Sequence, residues 1–374
     1  MLDLEAPLGR SGARAASAPS PVTLTALATA APRHVIRQAE VARLAEALFG
    51  ASRRDLDRLL PAFANAGIAT RRSCVPMEWY LKPSNWKDRN ALFIDHAVDL
   101  LEEAAERCLA EAGLDASAID GLVTVSTTGI ATPSLDARLM QRLPFRRDVA
   151  RLPIFGLGCA GGVLGLSRAA TLCQGLAQTK PSARVLCLVV ELCGLTFRAG
   201  DHSKSNVIAT ALFGDGAAAV LLESSEPGGP AGRGPRLGPQ GEHTWPDSLD
   251  VMGWEVESDG LGVLFSRDIP TLVRAQLGPA VDSFLARHGL RRGDLDGYVC
   301  HPGGAKVIAA LEEVFALPDG GLAEAREVLH DYGNMSAVTV LFVLERLRRR
   351  GMKGRYLMTA LGPGFTAGFQ LLEA

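Results

Sequence analysis

The sequence predicts a duplicated α/β fold, on three observations. The chain has 374 residues, more than twice the roughly 150 residues of an average domain. Its strand-like segments, such as ARVLCLVVE from Ala183 and GRYLMTALG from Gly354, are continuous apolar runs, the pattern of strands covered by helices on both faces. The second half repeats the landmarks of the first in the same order, the signature of an architecture built by internal repetition.

Residues 1–21 are rich in Ala, Ser, Gly, Pro and Arg without apolar periodicity and read as a flexible leader. The repeat then defines two halves, 22–224 and 225–374. Leu109, Gly113, Leu114, Asp120, Gly121 and Val123 recur as Leu285, Gly289, Leu290, Asp296, Gly297 and Val299. Gly158-Cys159, opening an apolar helical stretch, is answered by Gly333-Asn334, opening MSAVTVLFVLERLRRR. ALFGDGAAAVLLE at 211–223 has its counterpart in ALGPGFTAGFQLLE at 360–373. Each half therefore reads helix, glycine turn, apolar strand, loop, buried helix, apolar strand, glycine-rich turn, strand. Between the halves, the Gly- and Pro-rich stretch 224–243 reads as a surface excursion without a central strand.

The 39 basic and 41 acidic residues nearly cancel, which argues against a nucleic-acid-coating protein or a polybasic membrane binder. No run of about 18 apolar residues offers a membrane span, and the N-terminal segment has no apolar signal core. The seven cysteines, at 74, 108, 159, 173, 187, 193 and 300, are odd in number and set mostly in apolar runs. They read as reduced thiols of a cytoplasmic protein. No Cys/His spacing suggests a metal site.

Three side chains fall at equivalent points of the repeat: Cys159 in GLGCAGG, His301 in VCHPGG and Asn334 in YGNMS. In a duplicated α/β chain these loops meet in one cleft. Cys159 sits at a predicted helix N-terminus, where unpaired N–H groups favour an anion, and an imidazolium nearby would lower the thiol pKa further, giving a thiolate. An Asn amide beside an imidazole N–H supplies two donors for one oxygen, as an oxyanion or enolate requires.

Taken together, GLGCAGG, ALFGDGAAAV, HPGG, YGNMS and the C-terminal GPGF resemble the chalcone synthase-like type III polyketide synthases, within the thiolase-fold condensing enzymes. The resemblance runs from about Val22 to the C-terminus. It implies a homodimeric, layered αβαβα fold and a triad with Cys159 as nucleophile and His301 and Asn334 as partners. It implies acyl-CoA and malonyl-CoA as substrates, with no cofactor beyond these thioesters. The activity implied is decarboxylative Claisen condensation followed by cyclisation. A ketoacyl synthase III-like or hydroxymethylglutaryl-CoA synthase-like single condensation is the neighbouring alternative, and a Cys-His-Asn hydrolase a more distant one.

The resemblance also assigns a pocket. Phe213 matches a gatekeeper phenylalanine between CoA tunnel and cavity, and Gly362, Pro363 and Gly364 match a loop shaping the cavity wall. Val263 stands at the second gatekeeper position, where a smaller residue implies a wider cavity. Thr132 replaces a plant methionine that reaches into the partner subunit. Trp254 replaces a glycine and by volume blocks the aromatic-starter pocket. Thr196 and Ser336 match pocket-floor positions, or are ordinary polar residues at a strand end and a helix start. ELCGLTFRAGDHSKSNVIATALFGDG and DVMGWEVESDGLGVLFSRDIP resemble the microbial branch that makes alkylpyrones and alkylresorcinols from medium to long fatty acyl-CoA starters. At the positions where the family carries CoA-binding cations this chain has Ala62 and Ala66. Arg53, Arg54, Arg58 and Lys306 are the cations left to meet the phosphates, or are solvated surface charges.

Overall fold

The computed structural model describes residues 20–374 apart from 50–60, 181, 227, 229–231, 233 and 266–267. Nearly all of the leader, together with Arg53, Arg54 and Arg58, therefore lies outside the described residues.

Nine strands form one sheet: β1 (Val22–Ala30), β4 (Gly121–Val125), β5 (Ala150–Ile154), β6 (Arg184–Leu192), β7 (Asp215–Ser224), β8 (Arg236–Thr244), β11 (Gly297–Cys300), β12 (Arg355–Gly362) and β13 (Thr366–Glu373). Two hairpin-like pairs lie outside it, β2 (His34–Arg37) with β3 (Thr70–Ser73) and β9 (Met252–Glu257) with β10 (Gly260–Phe265). The order in the large sheet is β11-β12-β13-β8-β1-β7-β6-β4-β5. Its two wings repeat one pairing scheme. β4 runs parallel to β6, which is antiparallel to β7, itself antiparallel to β1. Likewise β11 runs parallel to β12, which is antiparallel to β13, itself antiparallel to β8. Among the described residues the wings join where Val22 and Thr23 pair with Leu237 and Arg236 and where the Leu24 N–H donates to the Pro235 carbonyl at 2.9 Å.

β8 corrects the expectation of a surface excursion between the halves. RLGPQGEHT is a strand inside the sheet order. Its proline is accommodated because the register with β13 shifts between Gln370 and Leu372, opposite Gly238 and Pro239. A proline lacks the ladder donor and is tolerated at such an irregularity. Beyond Leu237 the strand has no partner in β1, so there the missing N–H costs nothing in pairing.

Each half also buries one helix at the middle of the fold, and each of these helices is entered through a short 3-10 turn. Gly158–Ala160 leads into Gly161–Leu176, and Ser336–Val338 leads into Thr339–Arg349. The first helix is buried from Gly161 to Ser167 and the second from Thr339 to Glu345, so neither has the usual solvent face over that length. Outer helices close the layers. Trp86–Ala112 starts at Asn85, whose side chain accepts from Asp88 N–H, and ends at Gly113 with φ 67°, a left-handed stop that glycine adopts without strain. On the other wing Phe284, in helix Gly278–Arg287, stacks on Phe369 of β13 at 5.2 Å.

The two central elements touch backbone to backbone. A Cβ at Gly162 would lie 2.1 Å from the Ala337 carbonyl oxygen and 2.6 Å from Val340. Gly162→Ala is expected to lower stability by about 1–3 kcal/mol through overpacking. Gly175→Ala, at the open end of the same helix with no atom within 4 Å, is expected to raise it by up to about 1 kcal/mol through helix propensity. Denaturant midpoints of the two variants test this; equal midpoints would show that the close approach is not a packing constraint.

Candidate active site

Cys159 is the middle residue of the Gly158–Ala160 turn, whose entry is held by the Gly158 N–H donating to Thr127 Oγ1 at 3.1 Å. His301 follows β11 directly, and its N–H donates to the Thr359 carbonyl at 3.0 Å, extending the parallel ladder with β12. Asn334 follows Gly333. Its N–H donates to the Leu212 carbonyl at 2.8 Å and its carbonyl accepts from Gly214 N–H at 3.0 Å, so the loop is stitched on both sides of Phe213. The Asn334 side chain is oriented as well. Its Oδ1 accepts from Ser336 N–H at 2.8 Å and its Nδ2 donates to the Gly303 carbonyl at 3.2 Å, leaving one amide hydrogen for another acceptor.

The fold brings the three residues together. Cys159, His301 and Asn334 line one cavity of about 620 Å³, a size typical of ligand sites. Its walls are largely aliphatic, with Ile208, Leu212, Met252, Ile269, Leu277 and Leu311 among them. Both ring nitrogens of buried His301 lack a hydrogen-bond partner among the described residues. Such orphaned groups are costly unless a ligand meets them.

The electrostatics differ from the sequence expectation of a standing thiolate. Burial pushes the Cys159 thiol up to about 12; the Ser336 hydroxyl, hydrogen-bonded to it, pulls the other way, and the charge of Glu191 adds to the rise. Burial alone drives the His301 imidazole down to about 3. A lone charge on either group is therefore disfavoured. Transfer of one proton from sulfur to imidazole would create both charges together and let each stabilise the other, with His301 as the base.

The other predicted residues divide. Phe213 and Thr196 line a separate recess of about 40 Å³, where Thr196 Oγ1 donates to the Cys193 carbonyl at 2.7 Å. Trp254 packs edge-on to Phe213 at 6.1 Å. Val263 is buried against Phe213, Cys193 and Ala209 and lines neither space, so the small side chain there does not widen the cavity. The volume is refilled by Phe265, two residues on and hence on the same face of β10, which lines the cavity and meets Phe213 at 5.8 Å. Gly362 and Pro363 pack on the Gly158–Ala160 turn: a Cβ at Gly362 would lie 2.4 Å from the Leu157 carbonyl, and one at Gly158 would lie 2.5 Å from Pro363, whereas one at Gly364 would meet only Thr366 and Leu249. Thr132 is exposed on an outer loop, away from this chain's own cavity. Lys306, Ala62 and Ala66 do line the cavity, and Lys306 is exposed. Among the described residues no group of three or more His, Cys, Asp or Glu could hold a metal ion.

Sequence reasoning missed Phe265 and Glu191. Glu191 is fully buried at the end of β6, where Oε2 accepts from Thr127 N–H at 3.0 Å and Thr128 Oγ1 at 2.8 Å. Burial pushes its carboxyl up to about 7, opposed by those donors and by Ser336. One acidic residue inside the apolar run LVVELC was the available signal, since buried carboxylates are rare without a purpose.

The proton-transfer account predicts the reactivity of Cys159. Alkylation by iodoacetamide, followed on the Cys159 peptide by mass spectrometry, is expected to be at least about tenfold faster at pH 7 than in His301→Gln and nearly flat from pH 7 to 9. The variant's rate is expected to rise about tenfold per pH unit, as thiolate supply from an unassisted thiol does. Equal rates and slopes would remove His301 as the base.

Comparison with known proteins agrees with this geometry. Residues 77–227 match the family described as "Chalcone and stilbene synthases, N-terminal domain", and residues 240–372 match its C-terminal domain. A 1,3,6,8-tetrahydroxynaphthalene synthase from Streptomyces peucetius subsp. caesius is 40% identical over 357 residues, covering 94% of this chain and 93% of the relative. A putative chalcone synthase from Bacillus subtilis is 38% identical over 361 residues, covering 94% and 98%. The crystal structure of the tetrahydroxynaphthalene synthase of Streptomyces coelicolor A3(2) superposes with a TM-score of 0.86 at 30% identity, covering 94% of this chain and 98% of that one. With matches across both halves and a cavity that gathers cysteine, histidine and asparagine, the chain belongs to the chalcone and stilbene synthase family of type III polyketide synthases, acyltransferase-type condensing enzymes.

Proposed function

We propose that this synthase loads a medium- to long-chain fatty acyl-CoA, extends it with malonyl-CoA and cyclises the product to an alkylpyrone or alkylresorcinol. Enzymes of this family use acyl-CoA and malonyl-CoA. What carries the fatty starter is the aliphatic lining of the roughly 620 Å³ cavity around Cys159, His301 and Asn334, which rewards an alkyl chain through burial. In this reading Cys159 passes its proton to His301 and attacks the thioester carbonyl. Coenzyme A leaves as its thiol, taking that proton, and the acyl group stays on sulfur. Malonyl-CoA then loses carbon dioxide. The enolate oxygen accepts from the His301 ring N–H and the Asn334 amide, and its carbon attacks the acyl thioester, releasing Cys159 and a β-ketoacyl-CoA. No step needs a metal or further cofactor.

Lys306, at the start of helix Ala305–Val314, is the candidate partner for the CoA phosphates among the predicted cations that the structure describes. The working form we propose is a cytoplasmic homodimer. Among the described residues β5 forms the open edge of the sheet, its pairing ending with β4; it exposes Leu152, Phe155 follows it exposed, and Ile130 is exposed in the loop after β4. An uncovered apolar edge of this kind invites a second copy. Among the described residues no helix is long and apolar enough to cross a membrane.

A second reading takes malonyl-CoA as starter as well, giving a naphthalene-type pentaketide. The 40% identical relative named for such a product favours it, as does the small recess lined by Phe213. Incubating the protein and Cys159→Ala with malonyl-CoA, alone and with acyl-CoA starters of graded length, separates the two by mass spectrometry of products. Cysteine-dependent pyrones or resorcinols from fatty starters are expected; an aromatic product from malonyl-CoA alone would replace the fatty starter and keep the chemistry. Phe265→Ala removes a ring from the cavity wall and is expected to shift kcat/KM toward longer starters by about tenfold or more, the usual worth of a methylene or two in an apolar pocket. An unchanged starter profile would show that Phe265 does not bound the starter.

A further inference from the structure

Arg71, in β3, takes no part in the chemistry above, yet its guanidinium is buried and densely partnered. Nη1 donates to the carbonyls of Thr210 at 2.7 Å and Phe213 at 2.9 Å, and Nη2 to that of Ala211 at 2.7 Å. Nη2 also donates to Gln38 Oε1. Gln38 Nε2 in turn donates to the Ala211 carbonyl at 3.0 Å and to that of Phe63 at 3.1 Å. These carbonyls close the helix Lys204–Leu212, where the final turn lacks intrahelical donors. The remaining carbonyl of the run, that of Leu212, accepts from the N–H of Asn334. Four successive carbonyls, 210 to 213, are thus shared between Arg71 and the catalytic asparagine.

The Arg71 stem completes the connection. A Cβ at Gly214 would lie 3.4 Å from Arg71 Cβ, and one at Gly333 would lie 3.6 Å from it, so the stem runs beside both glycines, one following Phe213 and the other preceding Asn334. The residues before Arg71 hold the same loop from its other end. Ala69 N–H donates to the His330 carbonyl and Thr70 Oγ1 to that of Asp331, each at 2.8 Å.

We infer that Arg71 is a positioning residue: by fixing the chain between the gatekeeper Phe213 and Asn334, it sets the aim of the Asn334 amide at the enolate oxygen. The inference rests on the role of Asn334 given above. Only a planar fork spans these acceptors; a lysine ammonium keeps the charge but offers one point in place of two nitrogens.

The test splits the reaction. With full-length parent, Arg71→Lys and Gln38→Met, single-turnover release of coenzyme A from the acyl-CoA starter alone reads acylation of Cys159, and carbon dioxide release from malonyl-CoA on the acylated enzyme reads enolate formation. Arg71→Lys is expected to acylate at close to the parent rate and to form enolate on the order of 10²-fold more slowly, the cost of a misaimed catalytic group. Gln38→Met, which removes only the outer anchor, is expected to slow enolate formation about fivefold with acylation unchanged, and carries the test alone if Arg71→Lys does not fold. A merely structural Arg71 would lower both half-reactions together, in proportion to folded protein. That outcome, or no change in either, overturns the assignment. A parent that never acylates Cys159 overturns the synthase reading and this inference with it.

Discussion

The structure depends on the contact between two short turns, Gly158–Ala160 and Ser336–Val338, at the centre of the fold. Each opens a buried helix belonging to a different half, and among the described residues the halves share two residue pairs of sheet. The relative placement of nucleophile and asparagine is therefore set by how closely these elements approach. Gly162 against the Ala337 carbonyl makes that approach a backbone contact, which has less freedom than an interface of long side chains. Gly362 and Pro363, at the end of β12, pack on the first of these turns as well, against Leu157, Ala160 and Gly158.

Placing the site at that contact buries its ionisable groups, and the chemistry inherits the consequence. Cys159, His301 and Glu191 are each shifted toward their neutral forms, chiefly by desolvation. Asp215, after Gly214, is also raised, to about 6, although it accepts from the N–H groups of Cys74 and Gly194. For both carboxyls the folded pKa lies above the ordinary value, so the folded chain holds protons that an unfolded chain has released. Their relative contribution to stability is present at acid pH and is lost as pH rises through about 6 to 7. The same burial would strengthen the pairing of Cys159 and His301 if both charges formed together, as proposed above.

Much of this was legible in the chain. Glycine-flanked Cys159, His301 after an apolar strand and Asn334 after a glycine stood at equivalent points of a repeat, and one cavity gathers them. The features that escaped depend on register or solvation, which residue order does not encode. Pro239 seemed to forbid a strand, yet a register shift in the pairing of β8 with β13 accommodates it. Val263 promised space, but the face of β10 that carries it also carries Phe265. Nothing in TRRS marks Arg71 for burial, which follows from a helix end contributed by residues 210–213. The burial that pushes the Cys159 thiol up is not legible for a similar reason, since a helix N-terminus is visible in sequence and the depth of burial is not.

The aromatic wall ties specificity to rate. Phe213 touches Trp254 and Phe265 edge-on, so these rings support one another and a change in one relaxes its neighbours. Phe213 is also joined through its own backbone to Arg71 and, through the adjoining residues, to Asn334. On the roles proposed for Asn334 and Arg71, a substitution in this wall would load the support of the Asn334 amide as well as reshape the cavity. Cavity volume alone would then be an incomplete account of starter choice, because a starter would be extended only if the wall that admits it leaves residues 210–213 in place.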